Sequence, residues 1–234
     1  MSKLAALDQL LEQYQQLSYH SDPILKQRLH DAQDWLKIRI QHTHHALFNQ
    51  PEYQLMAKYF INRLYGGPEF DDLAIQIERL LKYAHKAEKM IPENAIKTGL
   101  KSVGLAVLAM QLDEAVAAQL LKDYPANQAI DDEMMRLTLI KLDQKQARYQ
   151  QLQLLDDLGV ALDKYMRSFI MYAAFKMCKG TAAKYHFELM YDFIGEGFVA
   201  MKPMKSAEKF IHEFTLKERE IVEKVHSGQA YPFR

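Results

Sequence analysis

Three histidines stand within four residues of the chain, at His42, His44 and His45. Imidazole is a common metal ligand, so this cluster has to be weighed as a metal site. At 100° per residue, His44 lies near the edge of the apolar stripe of its predicted helix, whereas His45 points almost directly away and His42 lies on the other flank. The three rings cannot converge on one ion, although a His42–His45 pair with a third ligand from elsewhere remains an alternative. We therefore predict solvated His42 and His45, a hydrogen-bonded His44, and no metal or other cofactor.

A second candidate pair is His186 with Glu188, in the segment KYHFELMYDFIGEGF. Helical bundles build di-iron sites from Glu-x-x-His motifs on two helices, and the spacing of this pair differs from that motif. A haem protein needs only one axial histidine in an apolar pocket, and His44, His186 and His212 qualify equally. A metal- or haem-dependent helical-bundle enzyme that uses His44 or His186 is therefore an alternative function.

Nucleophilic catalysis finds little support in the sequence. The single cysteine, Cys178, lies near the predicted end of a helix, where the partial negative charge opposes formation of a thiolate. We expect it to be a small buried apolar residue. The chain has no GxxxxGK[ST] phosphate loop, no GxGxxG motif and no nucleophile elbow. No catalytic residue can be assigned.

Helices must position these residues. Apolar residues recur every three or four positions from Leu25 to Leu47, which predicts a helix with one core-facing stripe. Pro51 then requires a corner, because its ring crowds the preceding turn and its nitrogen donates no hydrogen bond. A second helix is predicted from Pro51 to Gly66, where glycine is a good helix terminus and Pro68 prevents continuation. The two helices are expected to form a hairpin.

The remaining chain has the same helical character, without a period-two run of β-branched residues. We predict an all-α fold, a single-domain helical bundle of about nine or ten helices over residues 1–234. Helices are expected over Tyr165–Lys179, with Gly180 as a stop, and over Thr181–Met201. The aromatic and Met-rich segment Tyr165–Cys178 is predicted to be a central core helix, and the wall of an apolar ligand pocket is its alternative role.

Composition limits the classes of partner and location. The 234 residues carry 30 basic and 30 acidic side chains, so no overall field attracts nucleic acid, and we predict no nucleic-acid partner. One cysteine permits no internal disulfide, which favours a reducing cytoplasm. The N-terminus lacks a signal-peptide core, and the most apolar run, Val103–Met110, is far shorter than the ~20 residues that span a bilayer. A soluble cytoplasmic protein without a membrane span is expected.

Two stretches carry a family resemblance. The segments THHALFNQPEY and AKYFINRLYGGPEF resemble the FFLEELY-motif family, and Phe60, Leu64 and Tyr65 match the naming heptad identically. The resemblance implies a proteobacterial cytoplasmic helical protein without an established activity, so it transfers no catalytic residue. It directs attention to polar residues that would form a common network: Arg39, His44, Arg63, Tyr65, Arg219 and Glu220.

The favoured function is a helical binding module for a protein partner or an apolar small molecule, and a homodimer is a further option. An enclosed apolar pocket would favour the small molecule, whereas an exposed apolar patch would favour a protein partner or homodimer. The predicted ligand-binding residues are His44, Arg39, Arg63, Tyr65 and His186.

Overall fold

A computed structural model describes residues 2, 4–65, 70–86, 93–166 and 168–233. Every regular element in these ranges is helical, which confirms the all-α prediction. The described part contains twelve α-helices, several of them short pieces of longer predicted helices, which fits the predicted bundle of about nine or ten helices. They are α1 (Ala5–Gln15), α2 (Pro23–Thr43), α3 (His45–Phe48), α4 (Gln54–Tyr59), α5 (Phe70–Lys86), α6 (Glu93–Asp123), α7 (Asp132–Leu142), α8 (Lys145–Met166), α9 (Phe169–Met177), α10 (Lys179–Lys184), α11 (Glu188–Met201) and α12 (Ala207–His226).

Helix α6 is the central helix of the bundle. It packs against α1, α2, α7 and α8, and α8 in turn packs along α12. By length and composition, α6 is the one helix in the described ranges that could cross a membrane. Its contacts with four other helices show that it is packed within the bundle.

The predicted stripe on α2 is the buried face of that helix: Leu25, Leu29, Ala32, Leu36 and Ile40 are all buried. Asp22 caps the helix, since its carboxylate accepts hydrogen bonds from the backbone N–H groups of Ile24 and Leu25. The helix ends at Thr43, and the non-helical His44 separates it from the short helix α3.

The helix predicted from Pro51 begins later and changes its winding. Helix α4 starts at Gln54, and the chain then forms a π-helical segment over Phe60–Leu64. The backbone N–H of Tyr65 donates to the carbonyl oxygen of Phe60, 2.9 Å away, which closes the wider turn. Phe60 is buried but Leu64 is exposed. In a regular α-helix these two residues, four apart, would share one face, but the wider winding turns the residues after Phe60 away from it. The predicted stop at Gly66 and Pro68 lies outside the described residues.

The C-terminal third corrects two helix predictions. Gly180 does not stop a helix but lies inside α10, and the predicted helix Thr181–Met201 is broken before α11. The break contains His186, whose φ of 58° is left-handed. The prediction of a central core helix over Tyr165–Cys178 is wrong, because α9 contains no buried residue. Cys178 is also exposed rather than buried.

Candidate functional site

The most distinctive buried polar feature is the carboxylate of Glu218 on α12. The Arg39 guanidinium, from α2, donates a short hydrogen bond to Oε1 of Glu218. Nε2 of His44 lies 2.7 Å from the same oxygen and donates to it. Glu218 and His44 are both buried, and the His44 ring stacks on Phe214 with a centroid distance of 4.3 Å. The predicted hydrogen bond of His44 at the edge of the core is thus confirmed, and His42 and His45 are exposed as expected.

This environment keeps Glu218 ionised. Burial alone would raise its pKa, but the Arg39 charge and the hydrogen bonds from His44 and Arg39 lower it to about 2. Burial would likewise lower the pKa of Arg39, and Glu218 more than offsets this so that the pKa is raised. A carboxylate that is ionised throughout the neutral range cannot act as a general acid there, and its low pKa makes it a weak base.

A second buried ion pair lies near the first. Asp113 on α6 is buried, and its Oδ1 lies 3.5 Å from Nη1 of Arg148 on α8. Burial raises the pKa of Asp113, because Arg148 and the hydrogen bond from Gln33 offset only part of the desolvation. Tyr65 follows the π-helical segment and interacts electrostatically with both pairs: burial raises the pKa of its hydroxyl, and Asp113 raises it further. We call this set the buried polar cluster: Gln33, Arg39, His44, Tyr65, Asp113, Arg148 and Glu218.

The other predicted site residues lie elsewhere. Arg63 forms an ion pair with Glu196 on α11, with Nε and Oε2 2.9 Å apart. His186 is exposed between α10 and α11, and its backbone carbonyl faces the Arg79 guanidinium. Thus Arg39, His44 and Tyr65 come together in the buried polar cluster, whereas Arg63 and His186 do not join it. A ligand-binding role for these five residues stays a prediction.

Arg219 and Glu220, expected in a network with His44, also have separate partners. Nη2 of Arg219 lies 2.6 Å from Oδ2 of Asp156, so it joins α12 to α8. The side chain of Glu220 is exposed and pairs with Lys217. The residue of α12 that bonds to His44 is therefore Glu218, rather than the predicted Arg219 or Glu220.

Sequence reasoning missed Glu218, Asp113 and Arg148. A signal for the first was present, because Glu218 lies on the apolar stripe of α12 between Phe214 and Ile221. Asp113 likewise lies between the buried residues Met110 and Val116 on α6, but Arg148 lies in a polar segment without such a signal. A charged residue within a helix's apolar stripe is best explained by a buried partner.

The cluster is better suited to holding helices together than to catalysis. Nε2 of His44 is bound to Glu218, so it is engaged and does not face an open coordination position. Across the described residues, no group of three or more His, Cys, Asp and Glu side chains could hold a metal ion. A cleft of about 250 Å³ lies between α1 and α5 instead, lined by Leu11, Tyr14, Asp71, Ile75 and others, and no cluster residue lines it.

A different surface has the properties of a binding site. One face of α9 packs on α11: the ring of Phe175 stacks on Tyr191 with centroids 4.2 Å apart, and Tyr172 meets Phe198 edge-on at 5.2 Å. The opposite face carries five apolar residues in exposed or half-exposed positions. We call it the α9 surface, and it consists of Phe169, Ile170, Ala173, Ala174 and Met177, of which Phe169, Ile170 and Met177 are 83%, 77% and 84% exposed.

Comparison with protein families places most of the chain in one family. A family model described as a domain of unknown function (DUF8198) matches residues 16–232. The chain belongs to this family, which agrees with the expected uncharacterised family, while the resemblance to FFLEELY-motif proteins stays a prediction. Comparisons with curated proteins and with solved structures give no match.

Proposed function

We propose that this member of the DUF8198 family is a non-enzymatic helical binding module that docks on a partner through the α9 surface. The observation that carries the proposal is that Phe169, Ile170 and Met177 are each more than three-quarters exposed on one short helix. A single exposed apolar residue is ordinary on a protein surface, but a contiguous group indicates an interaction site.

The size of this surface supports docking. From their exposed fractions, the three side chains present roughly 400 Å² of accessible area, which is comparable to the functional patches of small proteins. Ile170, Ala174 and Met177 stand at i, i+4 and i+7, the spacing with which a helix presents anchors to a partner. The α9 surface is thus a continuous apolar stripe rather than a scatter of side chains.

The other parts of the molecule favour this proposal over its alternatives. A small molecule would require an enclosed apolar pocket of about 300–1,000 Å³. The cleft that the described residues form between α1 and α5 is smaller and carries the carboxylates of Asp71 and Glu78, so it does not fit an apolar ligand. Catalysis by His44 is disfavoured because its ring is buried and its Nε2 is hydrogen-bonded to Glu218. A cytoplasmic location, suggested by the single cysteine, stays a prediction.

Cys178 provides the test, because this single exposed thiol directly follows Met177. The rate of maleimide labelling should be compared between the purified protein and intact cells that produce it. We expect Cys178 to be protected in cells at least fivefold relative to a matched control thiol. That control is an Ile38→Cys, Cys178→Ser variant, because Ile38 is 69% exposed on α2, far from α9 in sequence.

The labelling experiment also has a clear negative result. If Cys178 reacts in cells at the rate of the control thiol, the α9 surface is not covered and the proposal is wrong. Protection that disappears in an Ile170→Glu variant would locate the contact on α9.

A further inference from the structure

The sequence around α9 is strongly basic. Between Asp163 and Glu188 there is no acidic residue, whereas five basic residues occur: Lys164, Arg167, Lys176, Lys179 and Lys184. The whole chain is balanced at 30 basic and 30 acidic residues, so this local excess of positive charge stands out against it. A partner for this region must therefore offer both an apolar surface and negative charge.

The lysines of α9 and α10 lie on the surface of the protein. Lys176, Lys179 and Lys184 are exposed, and no salt bridge within the described residues joins any of them. Nζ of Lys176 instead lies 4.9 Å from the ring centroid of Tyr172, and Nζ of Lys184 lies 5.6 Å from that of Tyr185. These ammonium groups are therefore available to an external anion.

Two of the neighbouring acids have partners of their own. Asp163 accepts hydrogen bonds from the Ser206 hydroxyl and from the Ala207 backbone at the start of α12, at 2.6 and 2.7 Å. On α11, Glu196 is paired with Arg63. Glu188 and Asp192, also on α11, are exposed, and neither forms an ion pair with Lys176, Lys179 or Lys184 among the described residues.

We infer that the partner of the α9 surface is an anionic lipid membrane, on which the protein docks peripherally; this inference rests on the proposed function. Phe169, Ile170 and Met177 would enter the boundary between headgroups and acyl chains, as in interfacial helices that combine an apolar face with lysines. Lys176 and Lys179 would bind lipid phosphates, because their long aliphatic stems let the ammonium reach the headgroup level.

Charge also distinguishes this partner from the others. Two copies that paired their α9 surfaces would bring their own lysines together, so like charges disfavour a homodimer through this face. An acidic protein groove would satisfy the lysines, but it would also have to match the apolar stripe in shape. A fluid bilayer needs no such match and supplies the apolar layer and the anionic layer together.

Vesicle binding by the full chain tests the inference. Flotation should be measured with vesicles of pure phosphatidylcholine and of 70% phosphatidylcholine with 30% phosphatidylglycerol, at 0.1 and 0.5 M salt. We expect binding only to the anionic vesicles, reduced at high salt. A fluorophore that reports polarity, attached to Cys178, should become brighter on those vesicles because the thiol lies next to Met177.

Matched variants identify the groups responsible. Ile170→Glu should weaken binding about tenfold or more, whereas Ile38→Glu, an equally exposed change, should leave it unaltered. Lys179→Glu should weaken binding about fivefold or more. Its control is Lys122→Glu, which changes the net charge by the same amount at an exposed position of α6 and should weaken binding much less. Far-UV circular dichroism should be the same for all four variants.

Each failure has its own meaning. If the anionic vesicles do not bind the protein, or if Ile170→Glu binds as well as the original chain, the membrane inference is wrong. If Cys178 is nevertheless protected in cells, the proposed docking function stands and the partner is a protein. If Cys178 is unprotected in cells as well, both proposals fail together.

Discussion

Replacing Glu218 by glutamine should destabilise the protein in a pH-dependent way. The Glu218→Gln change keeps the size of the side chain but removes the charge that Arg39 and His44 share. Arg39 would then be a buried cation without its anion, and breaking a buried ion pair in this manner typically costs about 3–5 kcal/mol. The ionised Glu218 is therefore expected to contribute a large share of a typical folding free energy.

The pKa of Glu218 provides an independent magnitude. Its pKa is lowered from 4.5 to about 2, so ionisation stabilises the folded state by about 3 kcal/mol at neutral pH. Because the folded pKa is depressed, this contribution is complete above about pH 5 and is lost as the pH falls from the unfolded pKa through the folded one. At pH 3, about 1 kcal/mol of it should remain.

Urea unfolding followed by far-UV circular dichroism at pH 7, 5, 4 and 3 measures the effect. The difference in free energy of unfolding between the original chain and Glu218→Gln should shrink by about 2 kcal/mol from pH 7 to pH 3. Glu220→Gln is the matched control, since this exposed residue on the same helix should change little at any pH. A difference for Glu218→Gln that stays constant with pH would refute the assignment of a depressed pKa.

Three further predictions concern helix packing, helix propensity and helix capping, and the free energy of unfolding in urea checks each of them. Gly159→Ala should destabilise the protein by about 1–3 kcal/mol, because a Cβ there would lie 2.9 Å from Cδ1 and 3.2 Å from Cβ of Ile211, where α8 meets α12; an unchanged stability would show that Ile211 moves aside freely. Gly99→Ala should stabilise α6 by about 0.5–1 kcal/mol, because no atom lies within 4 Å of the added methyl group; a loss of stability would contradict this. Asp22→Ala should cost about 1 kcal/mol by removing the cap of α2, and Asp22→Asn should retain most of it; equal losses in both variants would refute the capping role.

Local patterns predicted the parts of the fold that depend on neighbouring residues in sequence. The stripe from Leu25 to Ile40 is buried because residues three and four apart share one face of a helix. The start of α2 has an equally local cause, since Asp22 caps the first turn and Pro23 occupies the first helical position. The same projection placed His44 at the edge of the core and His45 in solvent.

Features that depend on a distant partner were not predictable in this way. Arg39 and His44 were named, but their shared partner Glu218 is more than 170 residues away, and no local spacing connects them. Arg148 was missed because its segment is polar, and its role follows only from the position of Asp113 on α6. The π-helical winding after Tyr59 was missed for a different, local reason: the hydrogen bond from Tyr65 to Phe60 closes a wider turn, which an α-helical period cannot represent.

The error at α9 has a physical cause that also supports its proposed role. Eight of the nine residues of α9 are apolar, and a helix of this composition is normally buried. Here Tyr172 and Phe175 pack on α11, while Ile170 and Met177 remain exposed. Exposed apolar side chains contribute little to folding and promote association, so packing within this chain does not explain them. Burial against an external surface would explain both the composition of α9 and its exposure.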